Sequence, residues 1–201
     1  MKKRLYIAIA ALLMCGFTQM AEAKSRNAHA EAHKQQLAAA KNIGLDKTTI
    51  TRMVEEDIAA RESVKAISAE TDELLNDLLT EARSHIGKKY VWASKGPNTF
   101  DCSGFSSYVY RQFGYSLSPC SRTQFTQGEK VDKKDLRKGD LVFFQGRSGT
   151  GGVGHVGIVV DVDDNGNFSF IHASIKKGVT ITSGSEAYYA KRFLGGKRVI
   201  E

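Results

Sequence analysis

The sequence has 201 residues, with 29 lysines and arginines against 22 aspartates and glutamates, which gives a formal net charge of +7. This length is typical of one catalytic domain with a small extension, and an apolar fraction of 41% allows a sizeable core. The basic residues are scattered and form no stripe interleaved with aromatics, so the charge predicts an anionic envelope polymer or membrane surface as its setting, and no nucleic-acid partner.

Residues 1–23 have the organisation of a secretory signal peptide. Basic residues at positions 2–4 precede an apolar run from Leu5 to Phe17, and Ala21-Glu22-Ala23 offers a cleavage site. Because the apolar run is too short for a comfortable membrane span, the sequence predicts an exported protein with possible peripheral association with the cell envelope. Cys15 leaves lipoprotein anchoring as the less favoured alternative.

Residues 24–68 are predicted to form a helical N-terminal extension with a turn near positions 44–46. Apolar residues with helical spacing occur in this extension from Ile50 to Ile58. A second and stronger apolar stripe follows, made by Leu74, Leu75, Leu78, Leu79, Ala82 and Ile86. We interpret this second stripe as a separate helix, with Ser68 or Thr71 as its N-cap and Gly87 after its last turn.

The stretch Phe100-Asp101-Cys102-Ser103-Gly104-Phe105 stands where a loop enters a helix. Turn residues at positions 96–99 precede it, and no helix breaker follows until Gly114. Cys102 is therefore expected in the first turn of a helix, where free N–H groups and the positive dipole end lower the pKa of a thiol. A disulfide with Cys120 is the alternative, and it would consume the candidate nucleophile.

The C-terminal half has the pattern of successive strands. Tyr115 to Lys134 is predicted to be irregular, and a hairpin turn is predicted at Asp163–Asn167. Helices followed by strands predict an α+β fold with an antiparallel sheet of about five strands. The predicted strands cover residues 140–144, 156–162, 168–172, 178–182 and 193–200.

Two histidines lie at ends of predicted strands. His155 begins one strand of the hairpin and His172 ends the next, so the hairpin would bring them together. His155 would then act as the base for Cys102, and His172 would hydrogen-bond the other ring nitrogen of His155. Two alternatives stay open, namely unrelated strand-end histidines and a zinc ion held by these three residues.

At this point the motifs together resemble a known family, the NlpC-type cysteine peptidases of bacterial cell walls. The resemblance covers about residues 70–201, and the motifs follow the family's order. It implies a papain-like fold and a catalytic domain at residues 69–201. We expect no cofactor and no metal, because a cysteine activated at a helix start fits the context of Cys102 better than a zinc ligand does. The motifs are Tyr90-x-Trp92, Phe100 to Phe105, Gly139 to Phe144, Gly154 to Ile158 and Ile171 to Ala173.

The resemblance also implies an activity and its residues. The activity is hydrolysis of peptidoglycan stem peptides, most commonly between γ-D-glutamate and a diamino acid, in the periplasm or envelope of a bacterium. It assigns the nucleophile, the base and the third polar residue to Cys102, His155 and His172. For oxyanion stabilisation and substrate contacts it implies Tyr90, Asp101, Ser103 and Arg122.

Some positions have simpler explanations. Asp101 would serve as a helix cap, Tyr90 and Trp92 as core aromatics, and Arg122 as a solvated charge. The family usually has two glycines where this chain has Ala93-Ser94. An acyltransferase or amidase with the same triad, and a non-catalytic envelope-binding protein, are the alternative functions.

Overall fold

The computed structural model describes residues 47–146 and 151–201; the predicted signal peptide, Cys15 and the turn at 44–46 lie outside these residues. The chain divides into two compact units between Ser63 and Val64, and all elements after the first helix belong to the second unit. The helices are α1 (Lys47–Ser84), α2 (Cys102–Gln112), α3 (Ser121–Gln124) and α4 (Ala187–Ala190). The strands are β1 (Glu129–Val131), β2 (Leu141–Gln145), β3 (Val153–Val162), β4 (Phe168–Ser174), β5 (Gly178–Ser183) and β6 (Phe193–Arg198).

Helix α1 is one continuous element, so the predicted separate helix with a cap at Ser68 or Thr71 is wrong. The residues between the two apolar stripes include no glycine or proline, and most are good helix formers, so nothing interrupts the backbone hydrogen bonds. The helix ends shortly before Gly87. Gly87 has a φ of 87° and donates its N–H to the carbonyl of Val179 at 2.9 Å.

The sheet has six strands in the order β1-β6-β2-β3-β4-β5, and every neighbouring pair is antiparallel. The predicted α+β class with an antiparallel sheet is confirmed. The predicted number of about five strands is too low, because β1 lies in the stretch that was predicted to be irregular. Strand β1 has three residues, of which Glu129 and Lys130 are charged and exposed, so its sequence has no alternation typical of a strand. It forms through its pairing with β6.

Apolar side chains cover both faces of the sheet and hold α2 in place. On β2, Leu141 and Phe143 belong to one buried cluster while Val142 and Phe144 belong to another, as alternation along a strand requires. The first cluster contains residues of α2 and of the last turns of α1. Helix α2 is therefore packed against one face of the sheet, which fixes the position of its first residue.

A buried ion pair joins the start of β2 to the end of β6. Arg198 donates from Nε and Nη2 to the two carboxylate oxygens of Asp140 at 2.9 and 2.8 Å, and the backbone N–H of Arg137 adds a bond at 2.8 Å. The Asp140 side chain is only 2% exposed. This carboxylate therefore depends on the guanidinium for its charge compensation.

Replacing Arg198 with methionine is expected to lower the free energy of unfolding by about 3 kcal/mol, because it leaves a buried carboxylate without a counter-charge. Urea unfolding measures the change. Lys130→Met is the matched control, since it removes one charge from an exposed ion pair with Asp132 and should cost less than about 0.5 kcal/mol. Equal losses in the two variants would contradict the assigned importance of the buried pair.

Candidate active site

Backbone contacts hold the N-terminus of α2. Asp101 is the N-cap residue, and its Oδ1 accepts hydrogen bonds from the N–H of Gly104 at 2.6 Å and from Ser103 Oγ at 3.1 Å. The N–H of Asp101 donates to the carbonyl of Ser94 at 2.8 Å. A Cβ atom at Gly104 would lie 2.1 Å from that same carbonyl oxygen, so only glycine fits. Asp101 thus caps the helix, and Cys102 lies in its first turn.

The loop before α2 retains its turn without the family's two glycines. Ala93 has a φ of 60°, in the left-handed region that favours glycine, which explains why a glycine is expected there. An alanine in this conformation costs about 1 kcal/mol. The Ser94 hydroxyl bonds the carbonyl and the hydroxyl oxygen of Thr99 at 2.8 and 2.7 Å, so this side chain stabilises the loop.

The hairpin of β3 and β4 places the two histidines side by side. His155 Nε2 lies 2.8 Å from His172 Nδ1, and the two rings are perpendicular. His172 is fully buried, whereas His155 keeps partial contact with solvent. Since His155 uses Nε2 for this contact, its Nδ1 remains for another partner.

A residue that the sequence did not indicate continues this row of polar atoms. His172 Nε2 lies 3.1 Å from Thr182 Oγ1, and the Thr182 side chain belongs to the neighbouring strand β5. The alternation of residues 178–182 predicts the strand, but it does not give the register between β4 and β5. That register decides which β5 side chain reaches His172.

Cys102 shares its pocket with the residue that follows His155. The backbone N–H of Val156 favours the thiolate form of Cys102 and so lowers its pKa, and the two residues belong to the same buried cluster. Both Cys102 and Cys120 are free thiols, so the alternative disulfide is excluded in this structure. Among residues 47–146 and 151–201, no group of three or more His, Cys, Asp or Glu residues could hold a metal ion.

Burial controls the protonation of the site. It raises the pKa of Cys102 to about 11, with a further contribution from the Asp101 charge, and these outweigh the backbone hydrogen bonds from Val156 and Ser103. The expectation of a lowered thiol pKa is therefore wrong for the resting site. Burial also lowers the pKa of His155 and of His172. Burial therefore favours the neutral forms of all three side chains, the Cys102 thiol and the two imidazoles.

The buried histidines make stability depend on pH. Between the ordinary histidine pKa of 6.5 and the lowered value of about 4 for His155, the unfolded chain binds more protons than the folded chain. The free energy of unfolding is therefore expected to fall as pH falls, by about 1.4 kcal/mol per pH unit for each such histidine. Urea unfolding at about pH 6 and about pH 5 measures this slope. His172→Asn should reduce this slope by about 1.4 kcal/mol per pH unit, the contribution of one buried histidine. An unchanged slope would show that burial of His172 does not lower its pKa.

The other predicted site residues surround this centre. Tyr90 is half-buried against the cluster that contains Cys102, and burial raises its pKa to about 12, with smaller contributions from Cys102 and Asp101. Ser103 Oγ also bonds the carbonyl of Pro119 at 3.0 Å. Arg122 is exposed and donates from Nε to the carbonyl of Val153, at the start of β3, at 3.4 Å.

Trp92 is 82% exposed, so the alternative of a core aromatic is wrong for this residue. Tyr90 lines an open groove of about 320 Å³. Lys89, Lys176 and Lys177 line the same groove, are exposed, and form no ion pair with any carboxylate in the described part of the chain. The groove next to Tyr90 is therefore positively charged.

Comparisons with known proteins agree with this geometry. The model of the NlpC/P60 family matches residues 87–198. A probable endopeptidase p60 of Listeria grayi is 47% identical over 44% of this chain and 18% of its own length. A γ-D-glutamyl-L-lysine dipeptidyl-peptidase of Bacillus cereus is 32% identical over 62% of this chain and 36% of its own length.

A solved structure supports the same relationship. The NlpC/p60 domain of the peptidoglycan hydrolase SagA superposes with a TM-score of 0.51 at 30% identity, over 60% of this chain and 95% of that domain. This likeness confirms the papain-like form of the α+β fold. The chain matches about a fifth of the length of the Listeria relative. Because the family model spans more than half of the sequence, this chain belongs to the NlpC/P60 family.

Proposed function

We propose that the chain is a cysteine endopeptidase that hydrolyses peptidoglycan stem peptides. The observation that carries this proposal is the 2.8 Å contact between His155 Nε2 and His172 Nδ1, beside a cysteine at the start of α2. This arrangement leaves His155 Nδ1 as the base for Cys102 and gives the base an orienting partner. A nucleophile, a base and an orienter are the three parts that acyl transfer through a thioester needs.

In the proposed first step, the Cys102 thiol transfers its proton to His155 Nδ1 as the sulphur attacks the amide carbon. The N–H of Cys102, at the first position of α2, and the Tyr90 hydroxyl would stabilise the oxyanion. Because burial raises the pKa of Tyr90 to about 12, its hydroxyl stays protonated and able to donate.

In the following steps, the His155 imidazolium protonates the leaving amine, and the C–N bond breaks to give a thioester on Cys102. Water then attacks the thioester as His155 takes up one of its protons. The C–S bond breaks, the carboxylic acid product leaves, and the proton returns to the sulphur. Throughout these steps His172 Nδ1 accepts a hydrogen bond from His155 Nε2–H.

The proposed bond joins γ-D-glutamate to a diamino acid, as the name of the Bacillus cereus relative supports. Asp101 Oδ2 accepts no hydrogen bond from any described residue, which leaves it available to a free amino end beside Ser103. The lysine-lined groove next to Tyr90 suits the carboxylates of an acidic peptide. Arg122 would line the cleft near the start of β3.

The proposed organisation is a signal peptide at residues 1–23, a helical extension at 24–68 and the catalytic domain at 69–201. The family's wall-hydrolysing members support an extracellular or envelope role. In the described ranges, no helix combines the length and apolarity needed to cross a membrane. The net charge of +7 favours peripheral contact with an anionic envelope.

Mass spectrometry of purified peptidoglycan after incubation with the protein tests the proposal. The expected products are fragments cut after γ-D-glutamate. Intact stem peptides freed from the glycan would indicate an amidase instead, and newly joined peptides would indicate an acyltransferase. If the peptidoglycan is unchanged but the protein sediments with it, the protein would be a wall-binding protein.

A further inference from the structure

Thr182 ends a row of polar atoms that begins at the catalytic base. Its Oγ1 lies 3.1 Å from His172 Nε2, and His172 Nδ1 lies 2.8 Å from His155 Nε2. His172 is 0% exposed and Thr182 is 7% exposed, so water does not readily replace either partner. We propose that Thr182 is a positioning residue that accepts the Nε2–H of His172 and thereby stabilises the arrangement in which His155 Nδ1 is free to accept a proton. The catalytic consequence rests on the proposed function.

The proton count leaves one productive arrangement. When His155 takes the thiol proton at Nδ1, both of its ring nitrogens carry hydrogen, and its Nε2–H must donate to His172 Nδ1. His172 then needs a lone pair at Nδ1. Its fully buried position, with Lys177 near enough to disfavour a positive charge, keeps the ring neutral, so its single proton lies on Nε2. That N–H has Thr182 Oγ1 as its acceptor.

The reverse arrangement would disable the base. If His172 carried its proton on Nδ1, it would donate to His155 Nε2, and the His155 proton would lie on Nδ1, facing the thiol. Without an acceptor at position 182, the productive tautomer of His172 would bury an unpaired N–H. The threonine hydroxyl can pair with either tautomer of His172, and its contribution is to remove this penalty from the tautomer in which His155 is a base.

A neutral acceptor suits this position better than a charged one. Among the described residues, no carboxylate bonds His172; its ring instead contacts Phe170 and Tyr189. A carboxylate at Nε2 would raise the pKa of His172 and favour a second proton on the ring, which would remove the acceptor that the His155 imidazolium needs. Thr182 is also β-branched and lies in a strand, so few rotamers are open to its hydroxyl.

The test compares Thr182→Val, which keeps the shape without the hydroxyl, with Thr182→Ser, which keeps the hydroxyl. Both are made in a Cys120→Ala background, so that Cys102 is the only thiol remaining in the described chain. The rate of alkylation of Cys102 by iodoacetamide at neutral pH is expected to fall about tenfold in Thr182→Val and to stay within about twofold of the parent in Thr182→Ser. Wall-peptide hydrolysis should show the same ratio in kcat, with KM unchanged.

A second measurement needs no variant at position 182. Long-range ¹H–¹⁵N NMR of histidine-labelled protein should show His172 protonated at Nε2, with His172→Asn used to assign its signals. Protonation at Nδ1 would overturn the proposal, as would parental alkylation rates in a folded Thr182→Val variant. If the parent protein alkylates as expected but cleaves no wall peptide, the proposed function fails while the role of Thr182 in the protonation of the site stands.

Discussion

Replacing Cys102 with alanine is expected to abolish the release of stem-peptide fragments from purified peptidoglycan, a loss of about 10⁴-fold or more in kcat/KM. The physical reason is that the start of α2 has no second thiol, and the neighbouring Ser103 hydroxyl is engaged with Asp101 Oδ1 and the Pro119 carbonyl. Within the described chain, the second free thiol, Cys120, is exposed at the N-cap of α3 and lies outside the buried cluster that contains Cys102. Mass spectrometry of the released fragments measures the loss.

Cys120→Ala is the matched control for this prediction. It removes the other free thiol of the described chain and should leave kcat/KM within about twofold, because a single surface substitution away from the machinery has a small effect. Circular dichroism should show that both variants retain the fold, since an alanine at position 102 removes one sulphur atom and disturbs no cap contact of Asp101. Full activity in Cys102→Ala, or its loss in Cys120→Ala, would refute the assigned nucleophile.

The second large effect is expected at His155. Replacing it with alanine should lower kcat by about 10³-fold or more, because the Cys102 thiol, whose pKa is raised to about 11, then has no proton acceptor near neutral pH. Alkylation of Cys102 by iodoacetamide should slow in parallel and recover only as the pH approaches the thiol pKa. Measuring both rates across pH separates the loss of a base from a loss of substrate binding.

His85→Gln provides the control, because His85 is also buried but lies in a separate network. Its Nε2 lies 2.9 Å from Glu81 Oε1 and its Nδ1 lies 2.7 Å from Lys88 Nζ. This variant should lose stability while Cys102 keeps its neutral-pH reactivity. A His155→Ala variant that alkylates at the parental rate would show that another group activates the thiol.

The sequence allowed the centre of the site to be predicted because its signals are local. A loop-to-helix transition positions Cys102, and one hairpin turn relates His155 to His172. These features depend on turn chemistry and alternation over a few residues, which sequence patterns report.

Features that depend on pairing across the sheet were not predictable in this way. Strand β1 exists through its partner β6, and Thr182 reaches His172 through the register of β5 on β4. The thiol pKa of Cys102 was predicted in the wrong direction because a helix N-terminus is visible in a sequence, whereas burial and the field of Asp101 follow from the packed structure. The prediction for α1 was wrong for a different reason. Ser68 and Thr71 can cap a helix, but the structure continues the helix through both positions.

The contact between α2 and the preceding loop has a consequence for how this protein tolerates sequence change. Main-chain contacts contribute to the position of Cys102. The Asp101 N–H donates to the Ser94 carbonyl, and Gly104, which has no side chain, lies next to the same oxygen. A side chain at position 104 would therefore push the start of α2 away from this loop and relocate the sulphur even where the core packing of α2 is intact.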